Sequence, residues 1–451
     1  MLTNIRIEGF KSYRNQRLPL SPLTLMIGAN ASGKSNALEA FRFLCWLGQG
    51  QKLSVLRQRV DDSEQILRGQ VRDLPYLRGQ SFILGCETDD KEWNILSVEI
   101  ALRDDELHIV QETIKSPRKK MPLYRIEQPS SGLSTDARVA YNNFARGGKK
   151  PQVTCTDQIA IFNQLASSAL FESGHKAAQK IIPETTSHFQ RILANTLFLD
   201  PVPSLMRGDS YPDKKLRGDC SNLSGVLYSL WQDEEARPAI IEFIRCLPEQ
   251  DVKDVRFFED RRGRVSLELV ESFGSVERNW SAELLSDGTL RVLAIAAALL
   301  SAPAESTLVI EEVDNGVHPS RARQLLSTMR DQAELRGVRL LLSTHNPALM
   351  DALPDSALGD VVFCYRDSQD GDSRLVRLAD LQDYAGLVSQ GPLGELVTNG
   401  IVDRFVKCPV TVEQKGKTHW LGCRACRERP NECGLLDRYQ RISESTQCAG
   451  T

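Results

Sequence analysis

The sequence predicts an α/β fold built on buried β-strands, and three observations carry that prediction. An apolar run near the N-terminus, PLTLMI at residues 22–27, passes directly into a glycine-rich turn and then into a helical pattern. Far downstream, TLVI at 307–310 ends in two glutamates, and VRLLLS at 338–343 ends close to a histidine. Short, wholly apolar runs of this kind are strands buried on both faces, as in a parallel sheet.

The 451 residues suffice for two or three average domains, or for one large α/β core carrying an inserted subdomain. Hydrophobic residues make up 41% and charged residues 25%, a balance that supports a sizeable core and excludes wholesale disorder. Lys and Arg number 56 against 59 Asp and Glu, so any DNA contact must come from a local patch rather than from global charge. No run approaches the roughly 18 apolar residues of a membrane-spanning helix. The start, MLTNIRIEGFKSY, lacks the apolar stretch of an export signal, and the expected location is the cytoplasm. Six cysteines (Cys45, Cys86, Cys155, Cys220, Cys246 and Cys364) are scattered as reduced thiols would be, while five crowd between Cys408 and Cys448.

Residues 3–8 alternate apolar and polar, a second strand ahead of GANASGKSN. From Gly28 to Ser35 this segment reads G-x-x-x-x-G-K-S, and ALEAFRFLCWL continues it as a helix. That is the order of a phosphate-binding P-loop. Glycines at 28 and 33 let the backbone wrap around phosphate, and the segment Asn30, Ala31, Ser32, Gly33, Lys34, Ser35 and Asn36 turns its N–H groups toward the anion. Lys34 is expected to reach the β- and γ-phosphates of ATP, and Ser35 to offer its hydroxyl to Mg²⁺.

Three further motifs follow between residues 284 and 347. Leu285-Ser286-Asp287-Gly288-Thr289 opens the apolar helix LRVLAIAAALL and looks like the LSxG signature of ABC ATPases. Ser286 and Gly288 at a helix N-terminus make a second anion site, expected to cap the γ-phosphate held by another subunit; alone, the segment is equally an ordinary Ser-capped core helix. In TLVIEEVDNGVHP, Glu311 occupies the Walker B position, where it would hold the Mg²⁺ shell through water. Glu312 would be the general base that orients and deprotonates the attacking water. Glu at 311 replaces the commoner Asp and Val313 a frequent Pro, leaving the acid pair intact; such a pair buried without a cation is costly. His345, about thirty residues beyond Glu312, resembles the switch histidine that contacts the γ-phosphate, and Asn315 to Pro319 would be the D-loop.

Together these residues resemble the ABC-type ATPases of the RecF, SMC and overcoming-lysogenisation-defect (OLD) group, especially short AAA-domain proteins of prokaryotic defence islands. The opening IEGFKSYRN matches that group's first strand and turn, which implies that Lys11 and Ser12 lie near the nucleotide. The stretch FLDPVPSLMRGDSYPDKKLRGDCSNLSGVLYSLW, the strand DVVFCYRD and the later GELVTNG are similar as well, so the likeness spans residues 1–125 and 195–405. It implies an ABC-type ATPase head of the P-loop NTPase class, with a mixed sheet, a small antiparallel β-lobe and a helical lobe carrying the signature. The expected divisions are 1–125, a helical insertion at 126–195, a second ATPase lobe at 196–405 and a Cys-rich tail at 406–451.

Residues 81–115 read as three antiparallel strands that would cover the nucleotide base, 130–195 as polar helix, and 253–272 as a hairpin around Arg261-Arg262-Gly263-Arg264. The insertion lacks sustained heptads, which excludes a cohesin-like arm. OLD-type nucleases need a Glu and a spaced Asp pair after the ATPase, but Asp367, Asp370 and Asp372 read as a solvated hairpin turn. Basic clusters at 115–120, 146–150 and 214–217 are short and loop-like; two on one face could track a phosphate backbone, so DNA is a conceivable ligand. In the tail, Cys423-x-x-Cys426 is half of a zinc knuckle that Cys433, Cys408, His419 or Cys448 could complete, against a bland reading as reduced cysteines.

The expected function is that of an ATP-hydrolysing switch that pairs head to tail around ATP and Mg²⁺, as a homodimer or higher homo-oligomer. It would act within an anti-phage system whose effector is a separate protein. A RecF-like DNA clamp is the alternative. A transporter subunit fits poorly, because such subunits are generally shorter and usually carry Gln where this chain has Thr289.

Overall fold

The computed structural model describes residues 1–57, 66–132, 134–247, 252–273, 276–315 and 319–407. Residues 408–451 of the tail, with every proposed zinc ligand (Cys408, His419, Cys423, Cys426, Cys433 and Cys448), lie outside the described residues, as do positions 316–318 of the expected D-loop.

The central sheet has six strands in the order Leu197–Leu199, Thr307–Ile310, Arg339–Ser343, Leu23–Ile27, Val362–Arg366 and Ser373–Arg377. All neighbours run parallel except the last strand, which returns antiparallel, so the sheet is mixed as expected. Its apolar runs are continuous because both faces are covered. Leu25, Ile27, Leu308, Ile310, Leu340 and Leu342 enter one core, while the alternate residues Met26, Val309, Leu341 and Val362 enter another.

The second core joins that sheet to helix Lys34–Gly48 and to an eight-stranded antiparallel sheet ordered Tyr13–Pro19, Leu2–Phe10, Ser81–Thr88, Ile95–Arg103, Glu106–Lys115, Tyr124–Gln128, Asp136–Tyr141 and Gln152–Thr156. The three strands expected in 81–115 are present, but the lobe is larger than they alone would make. The expectation of helix from 130 to 195 is corrected here: its first part supplies two of these strands, and helix occupies only Ile161–Gln164 and Lys176–Ala194 apart from one 3₁₀ turn. In Asp136–Tyr141 the buried residues Ala137 and Val139 face the core and alternate with exposed Asp136 and Arg138, a period of two that polar composition masked. The boundary placed at 125 therefore falls inside strand Tyr124–Gln128.

The first core is helical. Helix Asp287–Ser301, buried at every position from Thr289 to Leu300 except Arg291, packs among Leu223–Trp231, Arg237–Ile244 and Pro319–Arg336. The expected hairpin forms from Val252–Glu259 and Val265–Phe273, and Val276–Ser281 adds a third strand. The turn at 367–372 is solvated only in part. Asp372 is buried, and its carboxylate is compensated there by a hydrogen bond from the Tyr76 hydroxyl and by Arg14 at 3.2 Å and Arg374 at 3.8 Å.

Candidate nucleotide site

Three of the parallel strands are neighbours, and each ends in one of the motifs. Leu23–Ile27 leads into the P-loop, Arg339–Ser343 beside it into His345, and Thr307–Ile310 beyond that into the glutamate pair. Ligand sites of open α/β sheets form in such crevices at the carboxyl ends of the strands. The loop itself needs glycine. Gly28 and Gly33 adopt φ of 147° and 114°, and a Cβ would drive into the Cys364 carbonyl oxygen at the first and the Ser373 hydroxyl at the second. Behind the loop, the buried Tyr13 hydroxyl donates to the Gly33 carbonyl at 3.0 Å and the Cys364 thiol to the Ser32 carbonyl at 3.4 Å.

A cavity of about 390 Å³ lies against this loop, lined by residues 29–36, Leu38, Arg68, both glutamates and Ser343 to His345. The Lys34 ammonium lies along the loop and donates to the carbonyls of Gly28 and, at 3.1 Å, Ala29. Burial lowers its pKa from the ordinary lysine value, and the Glu312 carboxylate partly opposes that shift. Burial raises the pKa of Glu311, against the pull of the Arg42 and Arg68 guanidinium groups. A divalent cation beside it would favour the ionised form instead.

Glu312 adopts a left-handed φ of 49°, a strained geometry for a side chain of its size that costs on the order of 1–3 kcal/mol. Its N–H donates to the Ser343 hydroxyl at 3.1 Å, and Asn315 donates to its Oε2 at 2.8 Å. His345 Nδ1 lies 3.9 Å from Glu312 Oε1, and both side chains line the cavity while 55% exposed. Thr344 ties the two loops together by donating to Asp314. The carboxylate is thus oriented and accessible to water at once.

The structure brings Asn30 to Asn36, Glu311, Glu312 and His345 to one cavity, but not Lys11 or Ser12. Lys11 is committed to Glu39 and to the Arg68 carbonyl, and Ser12 bonds Asn36 and Ser373, each at 2.8 Å. Ser286 and Gly288 also stand apart from this cavity, Ser286 on an exposed turn where its Oγ accepts the Thr289 N–H at 3.1 Å. Sequence reasoning missed Arg68 and Thr344. Neither carries a signal in a single sequence, since an arginine in an irregular stretch and a threonine before a histidine are commonplace.

Two family models match separate parts of the chain, and between them they cover the loop and the strand ends that line this cavity. A family described as "AAA ATPase domain" matches residues 1–193, the part that holds the P-loop. One described as "AAA domain, putative AbiEii toxin, Type IV TA system" matches residues 225–351, which hold the signature, the acid pair and His345. No curated protein matches the chain in sequence. Among solved structures, an SMC head bound to the C-winged helix domain of ScpA is similar at 14% identity and a TM-score of 0.44, over 83% of this chain and 96% of that one. The SMC head domain from Thermotoga maritima is similar at 14% and 0.36, over 83% and 98%. A Pyrococcus furiosus Smc head with an extended coiled coil, bound to the C-terminal domain of ScpA, is similar at 12% and 0.39, over 83% and 95%. All three are distant likenesses. Among the described residues no helix is long and apolar enough to cross a membrane.

Proposed function

We propose that the chain binds and hydrolyses ATP between two copies of itself, the P-loop of one facing Ser286 to Gly288 of the other. We propose further that this pairing is the switch of a multi-component anti-phage system acting on a separate effector protein. The observation that carries the reading is the sharing of one cavity by Lys34, Ser35, Glu311, Glu312 and His345, while the turn at Ser286 to Gly288 stays outside it. The family description that includes a type IV toxin system supports a defence role.

In this reading the amides of the loop and the first turn of helix Lys34–Gly48 hold the phosphates, with Lys34 supplying the positive charge. The Ser35 hydroxyl and the Glu311 carboxylate suit Mg²⁺, a hard cation that keeps several waters; when bound it neutralises phosphate charge. Glu312, held by Asn315 and Ser343, takes the proton of the attacking water. His345, adjoining Glu312, reports the state of the γ-phosphate and, with the partner's signature turn in place, shields the reacting groups from bulk solvent.

The test is tagged Glu312→Gln protein, purified with ATP from cells expressing its own gene neighbourhood and weighed by native mass spectrometry. ATP should remain bound and hydrolysis should fall by roughly 10²–10⁴-fold. A dimer carrying a second protein supports the switch; a bare dimer that holds DNA replaces it with a RecF-like clamp. Hydrolysis at the normal rate would remove Glu312 as the base.

A further inference from the structure

Arg68 enters the nucleotide cavity from an irregular stretch of backbone, residues 66–69, which no helix or ladder holds in place. Two distant side chains do so instead. Glu39, on the P-loop helix, accepts the Arg68 N–H at 2.5 Å on its Oε1. Lys11, on the turn after the first strand, pairs with that same oxygen and donates to the Arg68 carbonyl at 2.8 Å. One ion pair therefore grips both polar groups of a single residue's main chain. We propose that Lys11 and Glu39 are a positioning pair that holds the Arg68 guanidinium in the nucleotide cavity with Glu311, an inference that rests on the ATP-site reading above.

Several features separate this pair from an ordinary stabilising contact. Its side chains are only 12% and 5% exposed, and a buried ion pair often stabilises no better than apolar residues of the same volume. Glu39 Oε2 is buried with no hydrogen-bond partner among the described residues, and an unsatisfied buried carboxylate oxygen costs stability. Lys11 reaches its place through a left-handed φ of 48°, anchored by its N–H to the Leu74 carbonyl at 2.7 Å. The group so placed is a planar fork of donors that is always charged, suited to phosphate oxygens in a way an ammonium is not. Lys11 thus acts on the nucleotide through Arg68 and not by touching it.

The experiment measures kcat and KM for ATP, and affinity for a fluorescent ATP analogue, in the full chain. The variants are Lys11→Met, Arg68→Ala, their combination, Glu39→Gln, Lys11→Arg and Lys34→Ala. Lys11→Met should lower kcat/KM by about tenfold and Arg68→Ala by more, while the double variant should be no worse than Arg68→Ala alone. Lys11→Arg, which keeps the charge and a donor, should restore most of the loss. Losses that multiply in the double variant overturn the inference, as does a Lys11→Met protein that unfolds earlier but keeps its kcat/KM. If Lys11→Met does not fold, Glu39→Gln, which preserves shape, carries the same comparison with Arg68→Ala. Normal hydrolysis by Lys34→Ala would bring down the ATP-site reading and this inference with it. Loss of activity in Lys34→Ala together with multiplying losses at Lys11 and Arg68 would bring down the inference alone.

Discussion

Helices Lys34–Gly48 and Asp287–Ser301 both start at a turn containing serine and glycine, yet their first turns are built in opposite ways. The P-loop helix begins at Gly33 in a left-handed conformation, with no side chain capping it and no acid in its first turn. Its free amides and the positive end of its dipole are available to an anion within the same chain. The signature helix is capped by its own Ser286, whose oxygen takes the Thr289 N–H, and Asp287 in its first turn pairs with Arg207. One end is open and the other is satisfied. A phosphate can therefore settle on the first directly, but at the second it must compete with an internal cap, which in the proposed head-to-tail pairing suits a contact made only when the partner delivers the nucleotide.

The largest expected effect is at the open end. Lys34→Ala should abolish detectable binding of a fluorescent ATP analogue; retained affinity would show that the loop amides suffice without the ammonium. An intermediate effect tests the capped end. Ser286→Arg should leave ATP affinity of the monomer intact while blocking nucleotide-dependent pairing in analytical ultracentrifugation, and loss of the cap should cost about 1 kcal/mol of stability. Unaltered pairing would sink the head-to-tail arrangement.

The smallest effect sharpens the contrast between a site carboxylate and a structural one. Like Glu311, Glu112 is pushed up by burial, to about 7 from 4.5, although the Tyr124 hydroxyl at 2.6 Å and the N–H groups of Ile161 and Phe162, both at 2.7 Å, pull the other way. A folded-state value above the unfolded one means that the folded protein binds the proton more tightly. The stability this group contributes is thus fully present below pH 4.5 and lost as pH rises through about 7. Urea unfolding across that window should show wild type losing stability relative to Glu112→Gln as pH rises; parallel profiles would rule the group out.

Much of this was legible in the sequence because it is local. Glycine spacing, apolar runs and turn chemistry each involve neighbours in the chain, so the P-loop, the hairpin at 253–272 and the three strands of 81–115 could be read directly. The strands Asp136–Tyr141 and Gln152–Thr156 were harder, because their alternation is short and their exposed faces polar enough to pass for a solvated helix. Arg68 was not legible at all. Its place depends on Lys11 and Glu39, 57 and 29 residues away, and nothing in its own neighbourhood marks it.

By itself the sequence determined the chemical parts: a phosphate loop, an acid pair, a histidine and a serine-capped helix, each written in a few adjacent residues. Only the tertiary structure decided which parts meet. Strand order sets the carboxyl ends of Leu23–Ile27, Arg339–Ser343 and Thr307–Ile310 on neighbouring strands and thereby gathers the loop, His345 and the glutamates. The buried pairing with Glu39 holds Lys11 away from the cavity, and Ser286 stands outside it on an exposed turn. Adjacency between strands and the pairing of buried charges arise from contacts across hundreds of residues, and no spacing within a motif encodes them.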